Sequence, residues 1–517
     1  MRMQLRDHMK KILIYTFGIF GFVNIANAQI IDTTKVYKKR VLENTEIDLL
    51  MSMYSQDGVH SPVNGGIGTE QLSDRTTAIV ISIPLNADDV LTVDAGISAY
   101  TSASSSNINP WMSNNSNGLK SVSWGNKGLN ASGASHGSGG GVNTGGGGTP
   151  SGPQNAINPT GTPWLASSGA SRGEQLNTIL TNYSHSSDDR NQLWGANLFF
   201  SDEFTYTSFG FGGNFTKLFN EKNTEVGFKG SVFLDQWRKI YPTEFKEYLQ
   251  IGNGFQYLGY FAGVSILNNS GNVITSTDYL PLGFKPWDKS GRESYSMSFY
   301  ASQIINQRFQ GALFFDLVMQ QGKLSTPYHR IYFADKPKYY IGTASDIANY
   351  TSPTNKGVYQ LADAIETLPN VRFKLPLGVR MNYYLNETFV LRGYYRYYID
   401  TWGLNAHTVN LDLPVKLSQS FTLTPSYRFY SQNQVKYFGP YESHVSTEQY
   451  FTSDYDLSKF NATQYSMALN YTDIFTKFKL GSLGLKNINL RYSHYDRTDG
   501  LNADIFSLGV KFVGGEK

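Results

Sequence analysis

Cysteine is absent from all 517 residues. That excludes a disulfide framework, a thiolate metal centre and a lipid-attachment cysteine. Also lacking, beyond the first residues, is any apolar run of the roughly twenty residues that a membrane helix requires. Charge is scarce too: Asp, Glu, Lys and Arg make up 16% of the chain, and the formal net charge is +3. No basic excess points to nucleic acid as a partner.

The first residues carry Arg2, Arg6, Lys10 and Lys11, then the apolar run 12–25, then Ala26-Asn27-Ala28. This order is that of a secretory signal peptide, residues 1–28, with cleavage expected after Ala28. The run is short for a transmembrane helix and is interrupted by Thr16, Gly18, Gly21 and Asn24. Since the signal with Asp7 holds the basic surplus, the mature chain is close to neutral.

Abundant instead are 35 Tyr, 32 Phe and 50 Gly, at a mean hydropathy of −0.34. A membrane β-barrel accounts for this combination. Only alternate residues face lipid, so mean hydropathy stays low while aromatic residues gather at the interfaces. Period-two alternation is the direct sign of such strands. In 293–303, Tyr295, Met297, Phe299 and Ala301 alternate with Ser294, Ser296, Ser298 and Ser302. In 371–385, Val371, Phe373, Leu375, Leu377, Val379, Met381, Tyr383 and Leu385 alternate with Arg372, Lys374, Arg380, Asn382 and Tyr384. Near the end, Phe506, Leu508, Val510 and Phe512 oppose Ser507, Gly509 and Lys511.

The fold class expected is all-β, a transmembrane antiparallel barrel of about sixteen strands, within a range of fourteen to eighteen. The segments are 45–56, 75–84, 90–101, 175–187, 190–202, 205–219, 224–238, 293–305, 308–321, 370–385, 388–401, 405–417, 420–434, 462–475, 485–498 and 502–512. Residues 29–44 precede the barrel as a periplasmic segment, 45–512 form it, and 513–517 are a periplasmic tail. If the first strand runs outward, the short connections near 86–89, 186–189, 220–223, 306–308, 386–388, 418–420 and Gly481 fall on the periplasmic side. The long stretches 57–74, 102–174, 239–292, 322–369 and 435–461 all fall on the other. This segregation of loop length is expected of an outer-membrane barrel and has no cause in a soluble β-domain. Phe512 in the outward register resembles the aromatic-ended last strand read by the barrel-assembly machinery, here followed by five more residues. The Gly/Ser/Asn-rich stretch 102–174 includes Gly139-Gly140-Gly141 and Gly145-Gly146-Gly147-Gly148 and reads as an extracellular loop too poor in apolar residues to order itself. Its glycines make no phosphate loop, since no Lys-Ser/Thr follows and no helix is present to offer its N-terminus.

Several motifs recur in a known family: Ser61-Pro62-Val63-Asn64-Gly65-Gly66-Ile67-Gly68-Thr69-Glu70, Pro84-Leu85-Asn86-Ala87-Asp88-Asp89, Asp94-Ala95-Gly96-Ile97, Ala99-Tyr100-Thr101-Ser102-Ala103, Gly291-Arg292-Glu293-Ser294-Tyr295-Ser296 and Ser325-Thr326-Pro327-Tyr328-His329-Arg330. With these, the chain resembles the domain of unknown function 3570 family of outer-membrane proteins over most of its mature length. The resemblance implies a barrel in the outer membrane and carries no activity, ligand or catalytic residue.

Chemistry is sparsely signalled. Asp57, Glu70, Asp88, Asp89, Asp188 and Asp189 invite a calcium reading, yet both Asp pairs sit in expected turns, where Asp satisfies its own backbone. The eight His include no H-x-x-x-H pair, so the residues suggest no metal site. His60-Ser61, His185-Ser186 and His494 lie near serines without a G-x-S-x-G elbow, and no enzyme, catalytic residue or cofactor is expected. More informative is the inward face. Alternation places Arg372, Lys374, Arg380, Arg392, Arg396 and Arg428 there, beside tyrosines and with Asp316, Asp400 and Asp412. Two readings stand: an internal salt-bridge network, since a charge facing mid-bilayer lipid costs about 2–4 kcal/mol, or a cationic constriction that selects what passes.

Two functions are therefore expected of this outer-membrane protein. One is a conduit or channel for a small solute or an exported segment; about sixteen strands leave room for an aqueous lumen. The other is a plugged structural or assembly barrel that binds an outer-membrane or periplasmic protein partner, since aromatic-rich loops suit partner contacts. Either contacts outer-membrane lipid and lipopolysaccharide, and the barrel-assembly machinery during biogenesis.

Overall fold

The computed structural model describes residues 40–62, 65–101, 174–203, 206–237, 266–267, 273–274, 290–326, 329–335, 363–445 and 447–514. The signal peptide, residues 29–39 and the glycine-rich stretch 102–173 lie outside them. Sixteen antiparallel strands close into a barrel. In chain order they are β1 (Glu46–Asp57), β2 (Leu72–Pro84), β3 (Asp89–Tyr100), β4 (Glu174–Ser186), β5 (Gln192–Asp202), β6 (Tyr206–Phe219), β7 (Thr224–Trp237) and β8 (Ser290–Asn306). They continue as β9 (Phe309–Gly322), β10 (Val371–Tyr384), β11 (Val390–Asp400), β12 (Asn405–Asp412, resumed at Val415–Lys416), β13 (Phe421–Gln432), β14 (Phe460–Thr472), β15 (Leu483–Arg497) and β16 (Asn502–Gly514). Each pairs with its sequence neighbour, and β16 returns to pair with β1 from Glu46↔Val513 to Asp57↔Asn502. Every edge is thereby satisfied, as strands crossing hydrocarbon require.

Register explains the composition. Phe299 of β8 pairs with Phe315 of β9, and Phe315 with Leu377 of β10, so the oily residues of successive strands share the outer face. Leu313 on that face is 64% exposed within the protein, a surface that calls for lipid. The inner face mixes polar residues with aromatic rings seated over glycines. Phe314 lies across Gly378, where an added Cβ would fall 2.1 Å from its ring, and stacks on Tyr394 at 5.7 Å.

The short connections gather at one end. Asn86 Oδ1 accepts from the backbone N–H of Asp88 and Asp89, and Asn386 Oδ1 does the same for Thr388 and Phe389. These Asx turns need no longer loop. The acidic turn residues have protein partners: Asp88 pairs with Arg190 at 2.7 Å, Asp89 with His185 at 2.6 Å, and Asp189 accepts from Ser187 and Asn191. At the opposite end, 58–71, 323–370 and 433–459 are long, while 401–404 and 498–501 are tight turns.

Candidate functional site

On the inner face of β10 to β15, one cross-strand row runs Arg380, Tyr394, Asn410, Arg428, Gln464, Tyr495 in register from strand to strand. The adjoining rows hold Arg396, Thr408 and Tyr430 on one side and Asn382, Arg392, Asp412 and Ser426 on the other. Arg491 joins the same wall from β15, opposite Ala468 and Ser507. Nearly every side chain in this belt offers a hydrogen bond, and donors dominate.

The charges expected inside divide into two sets. Arg372 is tied to Asp400: Nε donates at 2.8 Å, a second nitrogen makes a closer bond, and the guanidinium lies 4.0 Å from the Trp402 ring. Asp400, with no side-chain exposure, also accepts from Tyr398 Oη at 2.8 Å and from the backbone N–H of Trp402 and Leu404, which shapes the turn 401–404. This pair is architectural. Lys374 sits opposite Asp400 in register, and Asp316 opposite Ser298. Arg380, Arg392, Arg396, Arg428 and Arg491 make no ion pair among the described residues, although Asp412 is the cross-strand neighbour of Arg392. Arg380 instead lies 5.5 Å from the rings of Phe314 and Tyr394, and Arg396 5.9 Å from Tyr398. Sequence alternation located six of these cations but did not single out Asn410, Gln464, Tyr495 or Arg491, which obey the same period.

Above this belt the long loops are not structureless. Segments 323–335, 366–370 and 433–459 join by short β-bridges, Phe333 to His444 and Thr367 to Phe451, and carry apolar cores of their own. One core packs Ile331, Phe333 and Phe451, the two rings edge-on at 5.3 Å; the other packs Leu368, Trp402, Leu404 and Val435. The Gly65-Gly66 motif enters the same assembly. Both residues have positive φ, a Cβ on Gly65 would strike Tyr332 and one on Gly66 the carbonyl of Ser453, and His60 stacks on Tyr455 at 3.6 Å. Beneath the cap, Arg428, Tyr430, Gln432, Gln464, Tyr495 and Arg497 line a cavity of about 350 Å³. Arg497 is anchored there by Asp456, Asp499 and the Tyr455 carbonyl.

Within the cap, His329, Glu366 and Asp454 bring their ligand atoms within 4.8 Å of one another. Burial resists a charge on His329, but the Glu366 and Asp454 carboxylates outweigh it and hold the imidazole above its ordinary value. Burial likewise opposes ionisation of Glu366, yet His329 draws its carboxyl below the usual range. For Asp454, burial and the Asp456 carboxylate push the acid up to about 7. No sequence spacing foretold this cluster, because its members come from three separate segments. The visible clue was the aromatic and aliphatic content of nominal loops, such as Ile331-Tyr332-Phe333 and Tyr450-Phe451.

A family model described as a protein of unknown function (DUF3570) matches residues 33–503. No curated protein matches the sequence. Among solved structures, the chain is similar to a bacterial polysaccharide outer membrane secretin, with a TM-score of 0.37 and 8% identity over 91% of this chain and 98% of that one. It is similar also to OccK1 of Pseudomonas aeruginosa, at 0.33 and 7% over 91% and 99%. A third is a mutant of the ferric enterobactin receptor of Pseudomonas aeruginosa, at 0.34 and 11% over 89% of this chain and 54% of that one. These are likenesses of fold, and nothing those proteins bind is carried to this chain by them.

Proposed function

Because the chain belongs to the DUF3570 family, whose description assigns no activity, we propose from the barrel's own chemistry that it is an outer-membrane conduit selecting small anionic solutes. The observation that carries this reading is the belt of arginines on the inner face of consecutive strands, free of carboxylate partners among the described residues. A structural network would neutralise them, as Asp400 does Arg372. Left unneutralised in a watery lumen, they attract anions and repel cations. The short-turn end, where β1 begins and β16 ends, faces the periplasm in this reading, and the capped end faces outward.

The magnitude is modest but readable. A guanidinium about 6 Å from a passing anion, in water-like dielectric, attracts it by about 0.7 kcal/mol, roughly threefold in occupancy. Replacing Arg392 and Arg396 together by Gln should therefore lower the anion-to-cation permeability ratio by up to about tenfold at low salt, and less at high salt. Reversal potentials across a planar bilayer measure this, with heat-modifiable gel migration to check folding. The cap favours the second reading, a barrel closed outward that serves as a subunit for an outer-membrane or periplasmic partner. Absence of conductance both before and after the double substitution would select that reading.

A further inference from the structure

We infer that His329, Glu366 and Asp454 form a binding site for a divalent transition cation, and that the bound ion staples segments 329–335 and 366–370 to segment 447–459 above the barrel. An imidazole with two carboxylates is a donor set suited to zinc, manganese or ferrous iron rather than to calcium, which takes oxygen ligands.

Geometry comes first. His329 Nδ1 lies 3.5 Å from Glu366 Oε2 and 3.7 Å from Asp454 Oδ2. Both separations exceed a good N–H···O bond of about 2.9 Å. They suit two donors on one ion: with bonds of about 2.0–2.1 Å at a tetrahedral angle, ligand atoms stand roughly 3.4 Å apart. His329 Nδ1 is thus spaced from the two carboxylate oxygens much as ligands of one ion would be.

Outer partners hold the carboxylates in place. Glu366, 2% exposed on its side chain, accepts from Thr326 N–H at 2.7 Å on Oε1 and from the fully buried Thr452 hydroxyl at 2.6 Å on Oε2. Asp454 Oδ1 accepts from Asp456 N–H at 3.0 Å, which leaves Oδ2 toward His329. Orientation of ligands by such bonds is the usual support of a metal site. Charge agrees as well. Two carboxylates face one imidazole, while Asp456 is already paired with Arg497, so the pocket keeps negative charge of its own, and a divalent ion balances it better than a single proton does.

The rival is an imidazolium held between two carboxylates with no metal. To separate them, the full-length folded protein in detergent is stripped with a chelator and titrated at pH 7.5 with zinc, and with cobalt(II) for its absorption bands. One equivalent should bind, with release of protons. His329→Ala and Asp454→Asn should each lose that equivalent while keeping heat-modifiable migration. Thr452→Val should weaken binding about 10–100-fold and Thr452→Ser should restore it. Zinc should also slow protease cleavage within 329–335 and 447–459 in the wild type and leave His329→Ala unchanged. The inference is overturned by no stoichiometric binding, by equal binding in both ligand variants, by binding of calcium alone, or by protease rates indifferent to zinc.

Discussion

Asp400 does the work of a keystone at the residue scale. One carboxylate without side-chain exposure receives a guanidinium, a phenol and two backbone N–H groups, and thereby fixes both Arg372 and the turn that carries Trp402 into the cap. Replacement by Ala leaves a largely buried arginine unpaired, which typically costs about 3–5 kcal/mol. Asp400→Ala should lower the urea midpoint of the vesicle-inserted barrel accordingly and expose 401–404 to protease. Arg392→Gln, whose guanidinium makes no ion pair among the described residues, should leave the midpoint nearly unchanged. The inward placement of both arginines was legible from period-two alternation alone, because a one-residue slip would turn all of these charges to lipid. Which arginine is neutralised was not, since Asp400 serves Arg372 from the next strand and Asp456 serves Arg497 from a loop.

Among elements, the strands announced themselves and the cap did not. Alternation recurs within each strand, so Tyr295, Met297 and Phe299 could be read together, whereas Phe333 and Phe451 meet from opposite halves of two long connections. Local pattern is blind to such a pairing. Glu70 supplies a test of the cap that is independent of any metal. Burial raises its acid above 4.5, against the hydrogen bond that it accepts from His60 N–H. A folded-state value above the unfolded one means the folded cap holds a proton that the open chain has lost, so stability falls as pH rises from 4.5 through the folded value. The amides of 58–62 and 65–71 should therefore show lower protection factors, corrected for intrinsic exchange, at pH 7 than at pH 4.5. Glu70→Gln, which keeps the acceptor oxygen, should flatten that dependence and raise the protection factors at pH 7; an unchanged profile would show that Glu70 does not set it.

On the scale of the whole molecule, an even strand count brings β1 and β16 out at the same end, and the seam between them is sealed inside by Lys511 with Glu46 and Asp48, both at 3.1 Å, and by Lys486 with Glu46. The intact chain should fractionate with outer membranes and migrate faster on a gel before heating than after; recovery as a soluble periplasmic protein would refute the membrane assignment. Every other strand pair forms between neighbours in sequence, but this one waits for the last segment to arrive, the costliest loop to close in the fold. Until then the chain is a curled sheet with two bare rims, β1 and β15, each a template for pairing with a foreign strand. A polypeptide interrupted before Asn502 would keep nearly all of the strand pairing yet leave β1 and β15 open, so it should aggregate or be degraded rather than close into a slightly smaller barrel.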